Sequence, residues 1–193
     1  MKTIDERARR TLEQTERVHL LLAEHGLDSA LIGAMACAVH GYSRATEDVD
    51  LAVYADPVQK LPAVVRALTL MGLTTEYNGP DADDPLGGVI TLTAEDHDPI
   101  QIVNFCNPLS GEDNPGWEAI QGAQGLQGQR LRVVGLPHLI ALKLYAGGAK
   151  SRLDVIELLE RNSSTDLDSL RACCRRFGLA ESLESILAEV GLA

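Results

Sequence analysis

A glycine turn followed by two closely spaced aspartates is the feature that most restricts how this chain can fold. Gly33 ends a short apolar run, and Asp48 and Asp50 stand one residue apart at the start of a second one. Because successive side chains of an extended strand point to opposite faces, we expect the two carboxylates on one face and Val49 and Leu51 on the other. The segment therefore predicts a strand, turn, helix and strand that bring two like charges to one point.

The spacing of these aspartates has an electrostatic consequence. Two like charges held side by side repel each other unless a cation, or a proton on one of them, offsets the repulsion. Hard divalent cations prefer oxygen ligands, which makes Mg²⁺ the expected occupant and Mn²⁺ the alternative. Asp48 and Asp50 are therefore the first candidates for metal ligands and for catalytic residues.

Composition and charge narrow the functional classes. The chain has 193 residues, of which 45% are hydrophobic and 23% charged, as in an ordinary globular protein. Its formal net charge of −11 argues against an extended nucleic-acid surface, because phosphate neutralisation requires clustered lysine and arginine. We expect a compact protein with at most a local basic pocket.

The N-terminal segment and the cysteines indicate a cytoplasmic protein. Residues 5–10 are mostly charged and lack the apolar centre of a signal sequence, and no apolar run approaches the roughly 20 residues that a membrane helix requires. The four cysteines have no zinc-like spacing, so reduced thiols are expected. We therefore predict neither a membrane association nor a zinc site.

Apolar periodicity and turn residues predict the α/β (α+β) class, with a mixed β-sheet flanked by helices. The predicted strands cover residues 29–32, 48–54, 74–77, 89–93, 100–105 and 130–134. The predicted helices of the first part cover residues 3–25, 33–41 and 57–71. Residues 107–129 lack a regular pattern, and we expect a mobile lid or a plain connector there.

The last third of the chain is predicted to be helical. A helix is expected to begin at Pro137, with breaks at Gly147-Gly148, near Asn162 and at Gly178. This pattern predicts two parts, a core of residues 1–135 with its N-terminal helix and a helical C-terminal subdomain of residues 136–193 packed on that core.

The segment around the two aspartates carries a longer pattern of residue types. It reads Gly33-x-x-Ala36-x-x-x-His40-Gly41-x-x-Arg44-x-Thr46-x-Asp48-x-Asp50-Leu51. This pattern resembles the nucleotidyltransferase superfamily, and within it most of all the AbiEii-type group, which includes toxins of toxin–antitoxin and phage-defence systems. The resemblance implies a nucleotidyltransferase-like fold.

The resemblance also implies roles for individual residues. The glycine turn would hold a nucleoside triphosphate through the backbone N–H groups of Gly33 and Ala34, and Asp48 and Asp50 would hold magnesium against the phosphates. Arg44 would meet a phosphate or tie its loop to the acids. The implied function is transfer of a nucleotidyl group to RNA, a protein side chain or a small molecule, and a cognate antitoxin-like protein is an expected partner.

Two departures from the family pattern bear on catalysis. Ala34 stands where the family has a second glycine or a serine. Gln101 stands where a third carboxylate is expected, and its amide can bind a metal ion but cannot act as a base. Asp98 is out of phase with Gln101 in an extended strand, so it replaces the missing acid only if Pro99 interrupts the alternation. The alternative function is therefore a catalytically degenerate nucleotide-binding or protein-interaction module.

A second group of candidates lies in the predicted helix after residue 136. Lys143 falls on the same stripe as Leu139 and Ile140, so it is expected to point into the protein, where a lysine requires an anion. A phosphate or the carboxylates of the site would supply that anion, which makes Lys143 a candidate for catalysis and nucleotide binding. The alternative is that Lys143 only extends along an apolar face.

Lys150 and Asp154 follow Lys143 in a segment that resembles the helical lysine and aspartate pattern of the same family, with Ser151 replacing the usual first aspartate. The resemblance implies that Lys150 contacts the nucleotide. The alternative is a surface ion pair between Lys150 and Asp154, one helical turn apart, which would contribute a few tenths of a kcal/mol.

Overall fold

The computed structural model of the protein describes residues 2–111 and 113–192, with side chains in the first helix from Glu6 onward. The helices of this part of the chain are α1 (Lys2–Glu24), α2 (Gly33–Val39), α3 (Leu61–Leu70), α4 (Gly116–Gln121), α5 (Leu136–Ala146), α6 (Gly148–Arg161), α7 (Leu167–Arg176) and α8 (Ala180–Glu189). The strands are β1 (Ser29–Leu31), β2 (Val49–Val53), β3 (Thr74–Asn78), β4 (Val89–Thr93), β5 (Ile100–Asn104), β6 (Gln124–Gly125) and β7 (Arg132–Val133).

The strands form one mixed sheet in the order β3-β4-β5-β2-β1-β7-β6. The central strand β2 is parallel to β5 and antiparallel to β1, and β1 is parallel to β7. The pairs β3–β4, β4–β5 and β6–β7 are antiparallel. The prediction of an α/β protein with a mixed sheet flanked by helices is confirmed.

The central position of β2 follows from its sequence. Val49, Leu51 and Val53 are at most 7% exposed, and burial of such side chains contributes roughly 1.5–3 kcal/mol each. Asp50 stands between these residues and points to the other face of the pleat. The apolar side chains thus fix the strand at the middle of the sheet and leave the carboxylate on the opposite face.

The helical C-terminal part packs directly on the sheet-containing part. Helix α5 contacts α2, α4, α6 and α7, and α8 contacts α6 and α7. Leu139 and Ile140 of α5 belong to the same hydrophobic core as Leu51 of β2 and Ile102 of β5. The predicted boundary at residue 135 falls between β7 and α5, and the division into two parts stays a prediction.

Two predicted segments differ from the structure. Helix α3 begins at Leu61 instead of residue 57, because the Asp56 carboxylate accepts the N–H groups of Val58 and Gln59 in a turn, and Pro62 occupies the first helical turn. The expectation of an irregular segment over residues 107–129 is wrong for residues 116–125, which contain α4 and β6. These elements are too short for a periodic apolar pattern to reveal them.

Within the described residues, none of the helices combines the length and the apolar character that crossing a lipid bilayer requires.

Candidate active site

A cleft of about 450 Å³ opens between the central strands and helix α5. Its charged residues are Asp50, Asp84 and Lys143. Its apolar wall is formed by Ile32, Pro85, Leu86, Val103, Phe105, Leu139, Leu142 and Ala146, and Gly33, Tyr145 and Ser151 complete the lining. The cleft therefore combines an apolar surface with a few charged groups, which is the usual composition of a small-molecule site.

Gly33 and Asp50 are in direct contact at the floor of this cleft. A Cβ atom built on Gly33 would lie 1.9 Å from Asp50 Oδ2, and Gly33 has a φ of +61°, in the left-handed region. Glycine is therefore required at this position for two reasons. The backbone has a positive φ, and the Asp50 carboxylate leaves no space for a Cβ atom. The family resemblance implies phosphate binding for Gly33, which stays a prediction, and the structure shows that Gly33 makes room for Asp50.

The electrostatic environment of Asp50 is unfavourable to its charged form. Partial burial, together with the nearby charge of Asp48, raises the pKa of the Asp50 carboxyl to about 6. Lys143, Arg44 and Lys150 act in the opposite direction without cancelling this effect. Among the described side chains, none lies within hydrogen-bond or ion-pair distance of the Asp50 carboxylate. Asp50 is thus a carboxylate that has no bonded cation among the side chains that the structure describes.

Asp48 lies immediately before β2 and is held by its own loop. Thr46 Oγ1 donates a hydrogen bond of 2.8 Å to Asp48 Oδ1. Asp48 does not line the cleft itself but two other depressions, one with Glu47 and Lys150 and one with Arg44 and Asp98. Its charge is close enough to raise the pKa of Asp50, which supports the predicted pairing of the two acids. That both carboxylates converge on one ion stays a prediction.

Gln101 lies beside Asp50. The two residues are register partners on the parallel strands β5 and β2, so their side chains emerge on the same face of the sheet. Asp98 is bound instead by the first helix, where Arg7 Nε donates to its Oδ1 at 2.6 Å. In the part of the chain that the structure describes, no three residues among His, Cys, Asp and Glu are arranged to hold a metal ion. Asp48, Asp50 and Gln101 stay predicted metal ligands.

Lys143 is paired with Asp154, as the burial argument for this lysine requires. Its side chain is 13% exposed, and its Nζ lies 2.6 Å from Asp154 Oδ2. Arg44 binds the same carboxylate through Nε and Nη2, at 2.9 and 3.2 Å. The alternative of a surface pair between Lys150 and Asp154 is wrong, because Asp154 is only 1% exposed and both of its cations come from other segments.

The far wall of the cleft is a loop that two asparagines hold in place. Asn104 is fully buried, and its Nδ2 donates to the carbonyl oxygens of Ala55 and Gly87. Asn107 Nδ2 donates to the carbonyl oxygens of Asp81 and Asp84. These bonds anchor residues 79–88, so that Asp84 stands at the rim of the cleft.

Comparisons with known proteins identify the fold through structure and not through sequence. No protein-family model matches the chain, and no curated protein is similar to it in sequence. A solution structure of the antibiotic-resistance factor ANT(2'')-Ia shares 12% sequence identity and a TM-score of 0.54, over 94% of this chain and 96% of the other.

Two further solved structures are similar over most of their length. A crystal structure of ANT(2'')-Ia in complex with adenylyl-2''-tobramycin shares 13% identity and a TM-score of 0.51, over 86% of this chain and 95% of the other. A nucleotidyltransferase-like protein from Paracoccidioides brasiliensis shares 16% identity and a TM-score of 0.46, over 94% of each chain. This chain has a nucleotidyltransferase-like fold. The AbiEii-type subgroup and the antitoxin-like partner stay predictions.

Proposed function

We propose that this protein binds a magnesium–nucleoside triphosphate in the cleft and transfers a nucleotidyl group to an acceptor. The observation that carries the proposal is Asp50, a carboxylate that the fold partly buries at the cleft, beside a second carboxylate and without a bonded cation among the described residues. Strongly perturbed carboxyl groups in clefts are concentrated at functional sites, because a fold gains nothing from them unless a ligand offsets their cost.

The donor atoms near Asp50 fit a hard divalent cation. Asp48 and Asp50 offer carboxylate oxygens and Gln101 offers an amide oxygen, which matches the preferences of Mg²⁺ and Mn²⁺. The raised pKa of Asp50 supports this assignment, since a bound cation offsets both the repulsion by Asp48 and the cost of burial. When bound, the ion would polarise the phosphoryl oxygens of the triphosphate.

Residues of the chain bind the phosphates and stabilise the charge that develops during transfer. The Lys143 ammonium donates to the triphosphate and offsets the charge that develops on the departing pyrophosphate. The backbone turn at Gly33 and Ala34 offers N–H groups to the phosphates. The acceptor oxygen forms a bond to the α-phosphorus as the bond to the pyrophosphate oxygen breaks. The acceptor proton passes to solvent, because the Gln101 amide cannot accept it.

The apolar wall provides a place for the nucleobase. Pro85, Leu86 and Val103 line the cleft and are at least partly exposed, so they offer apolar surface for a planar ring. These side chains have no hydrogen-bonding groups with which to distinguish one base from another. We therefore propose that shape and apolar contact, more than polar recognition, hold the base.

For the acceptor, the charge of the protein favours a small molecule over RNA. The formal net charge of −11 opposes the approach of a polyanion. ANT(2'')-Ia, which shares the fold, has been solved with an adenylylated small molecule, adenylyl-2''-tobramycin. Both observations support a hydroxyl group of a small molecule as the acceptor class.

Consumption of labelled nucleoside triphosphates, with and without Mg²⁺, tests the proposal. We expect turnover in the wild-type protein with Mg²⁺ and none after chelation. Asp50→Asn should abolish turnover, whereas Asp83→Asn, the same change at an exposed aspartate of the neighbouring loop, should leave it unchanged. Equal activity of the wild type and Asp50→Asn would refute the proposal.

A second candidate function is supported by Gln101. An amide stands in register with Asp50, at the position where the family pattern has a carboxylate, which favours a protein that binds the nucleotide without catalysis. Under this alternative the wild type binds magnesium–triphosphate and releases no pyrophosphate. Gln101→Asp distinguishes the two functions, because gain of pyrophosphate release in the variant alone would show that only the base is missing.

A further inference from the structure

Asp154 is a buried carboxylate that joins three segments of the chain. It lies on α6 and is 1% exposed. Its Oδ1 accepts a hydrogen bond from Arg44 Nε at 2.9 Å, and its Oδ2 accepts one from Arg44 Nη2 at 3.2 Å and from Lys143 Nζ at 2.6 Å. Arg44 belongs to the loop of residues 41–48 before β2, and Lys143 belongs to α5.

The two cations depend on this carboxylate to stay together. Arg44 and Lys143 are 16% and 13% exposed, so little water screens the repulsion between them. Asp154 supplies the only carboxylate that the described residues bring within ion-pair distance of either cation. Its removal would leave two like charges facing each other in a poorly hydrated position.

Arg44 and Lys143 differ in where their hydrogen-bond donors are directed. Arg44 donates Nε and Nη2 to Asp154 and Nη1 to the carbonyl oxygen of Ala45 at 3.3 Å, so its donors are directed to the protein itself. Lys143 carries three N–H donors and is bonded to Asp154 through Nζ. Lys143 also lines the cleft, and its charge lowers the pKa of Asp50, so its ammonium is close to the cleft carboxylate as well as to Asp154.

We infer that Asp154 is a positioning residue, which holds the Lys143 ammonium at the cleft and, through Arg44, fixes the loop of residues 41–48 that carries Asp48. The role of Lys143 toward a triphosphate rests on the proposed function. The fixing of the loop by Arg44 does not, so the two parts can be tested separately.

Three variants and a control separate positioning from simple stabilisation. Asp154→Asn removes the shared anion, Arg44→Met removes the connection to the loop, and Lys143→Met removes the ammonium at the cleft. Glu184→Gln is the matched control, because Glu184 of α8 also accepts two hydrogen bonds from one arginine, Arg171 of α7, at 2.8 and 3.2 Å, but near the surface. The measurements are affinity for each of the four magnesium–nucleoside triphosphates, hydrogen exchange of residues 41–48, and denaturant unfolding.

If Asp154 is a positioning residue, each variant should give a different result. Arg44→Met should accelerate exchange in residues 41–48 by about tenfold or more while the amides of β5 stay protected. Lys143→Met should leave that loop protected and weaken triphosphate affinity by about tenfold or more. Asp154→Asn should produce both effects, and Glu184→Gln should produce neither.

Two outcomes would overturn the inference. One is unchanged exchange of residues 41–48 in Asp154→Asn and Arg44→Met. The other is a loss of affinity that follows global stability equally in all three variants, which would make Asp154 a stabilising residue only. If Asp154→Asn does not fold, Arg44→Met and Lys143→Met still decide the question, because each leaves Asp154 with one cation.

The same experiment distinguishes this inference from the proposed function. If the wild type binds none of the four triphosphates, the proposed function fails and the nucleotide part of the inference fails with it. Faster exchange of residues 41–48 in both Asp154→Asn and Arg44→Met, without a change in Lys143→Met, would still establish Asp154 as the residue that positions this loop.

Discussion

Two aspartates that interact with Lys143 have opposite surroundings. Asp154 is bound by two cations of its own chain, with contacts of 2.6 to 3.2 Å. Asp50 has no bonded cation among the described residues, and its burial and its charged neighbour Asp48 raise its pKa. Within the described part of the chain, the fold thus supplies two positive charges to Asp154 and no bonded cation to Asp50.

The difference shows that an aspartate has a structural or a ligand-binding role according to whether the chain itself supplies its cation. A carboxylate whose cations are supplied internally ties segments together and contributes to folding. A carboxylate left beside another negative charge opposes folding, and it becomes favourable only when a cation arrives from solution. The same substitution, Asp to Asn, should therefore change the free energy of unfolding in opposite directions at the two positions.

The largest effect is expected for Asp154→Asn. Because the change leaves Arg44 and Lys143 without their shared anion, we expect a loss of about 3–5 kcal/mol in the free energy of unfolding. Urea denaturation of the metal-free protein measures it. A loss below about 1 kcal/mol, the value typical of exposed ion pairs, would show that water already compensates both cations.

Asp50→Asn should have the opposite effect. The Asp50 carboxyl has a pKa of about 6 in the folded protein, against 3.8 for an unperturbed aspartate, so its ionisation at neutral pH opposes folding. We expect the variant to be more stable than the wild type by about 1–3 kcal/mol at pH 7.5 in the presence of a chelator. Asp83→Asn, at an exposed position, should change stability by less than about 0.5 kcal/mol. If Asp50→Asn is less stable than the wild type, the Asp50 charge does not oppose folding and the contrast with Asp154 is wrong.

The difference in the free energy of unfolding between Asp50→Asn and the wild type should depend on pH. Because the folded state holds the Asp50 proton more tightly than the unfolded state, stability falls as pH rises from the unfolded pKa of 3.8 to the folded pKa of about 6, and the cost is constant above that range. The difference between variant and wild type should therefore be small near about pH 4 and complete above about pH 6.5. Unfolding curves at several pH values in a chelator measure it, and a difference that does not change with pH would exclude Asp50 as its source.

Much of the fold was predictable because it is encoded locally. The apolar runs that precede Gly33 and contain Asp50 identify β1 and β2, and the alternation of side chains within β2 indicates which face carries the acid. The need of Lys143 for an anion also follows from its position on an apolar helical stripe. Each of these inferences uses residues within one element or at its ends.

The identity of the anion was not predictable, because it depends on contacts between distant segments. The spacing of Lys150 and Asp154 is compatible with a surface pair as well as with the family pattern, yet Asp154 binds Arg44, which is 110 residues away in the sequence. The contact between Gly33 and Asp50 likewise requires β1 and β2 to be neighbours in the sheet. One sequence shows which residue types are present, and the packing of α5 and α6 decides which of them meet.

A smaller effect is expected from magnesium. If Asp48 and Asp50 hold the ion, Mg²⁺ at about tenfold over its dissociation constant should stabilise the wild type by about 1.4 kcal/mol. The same concentration should not stabilise Asp50→Asn, whose amide removes the charge that attracts the ion. Thermal unfolding with increasing MgCl₂, against NaCl of equal ionic strength, measures the effect. Equal stabilisation of both proteins would place magnesium elsewhere.

The smallest effect is expected at Glu157, and it tests whether burial is the property that distinguishes Asp154. Glu157 lies three residues further along α6 and pairs with Arg161 one helical turn away. Its side chain is 27% exposed, against 1% for Asp154, so water stabilises both of its charges when the pair is broken. Glu157→Gln should therefore cost only about 0.3–0.5 kcal/mol in urea denaturation. A loss as large as that of Asp154→Asn would show that an exposed ion pair on α6 stabilises the fold as much as the buried one. Burial would then not be what distinguishes Asp154.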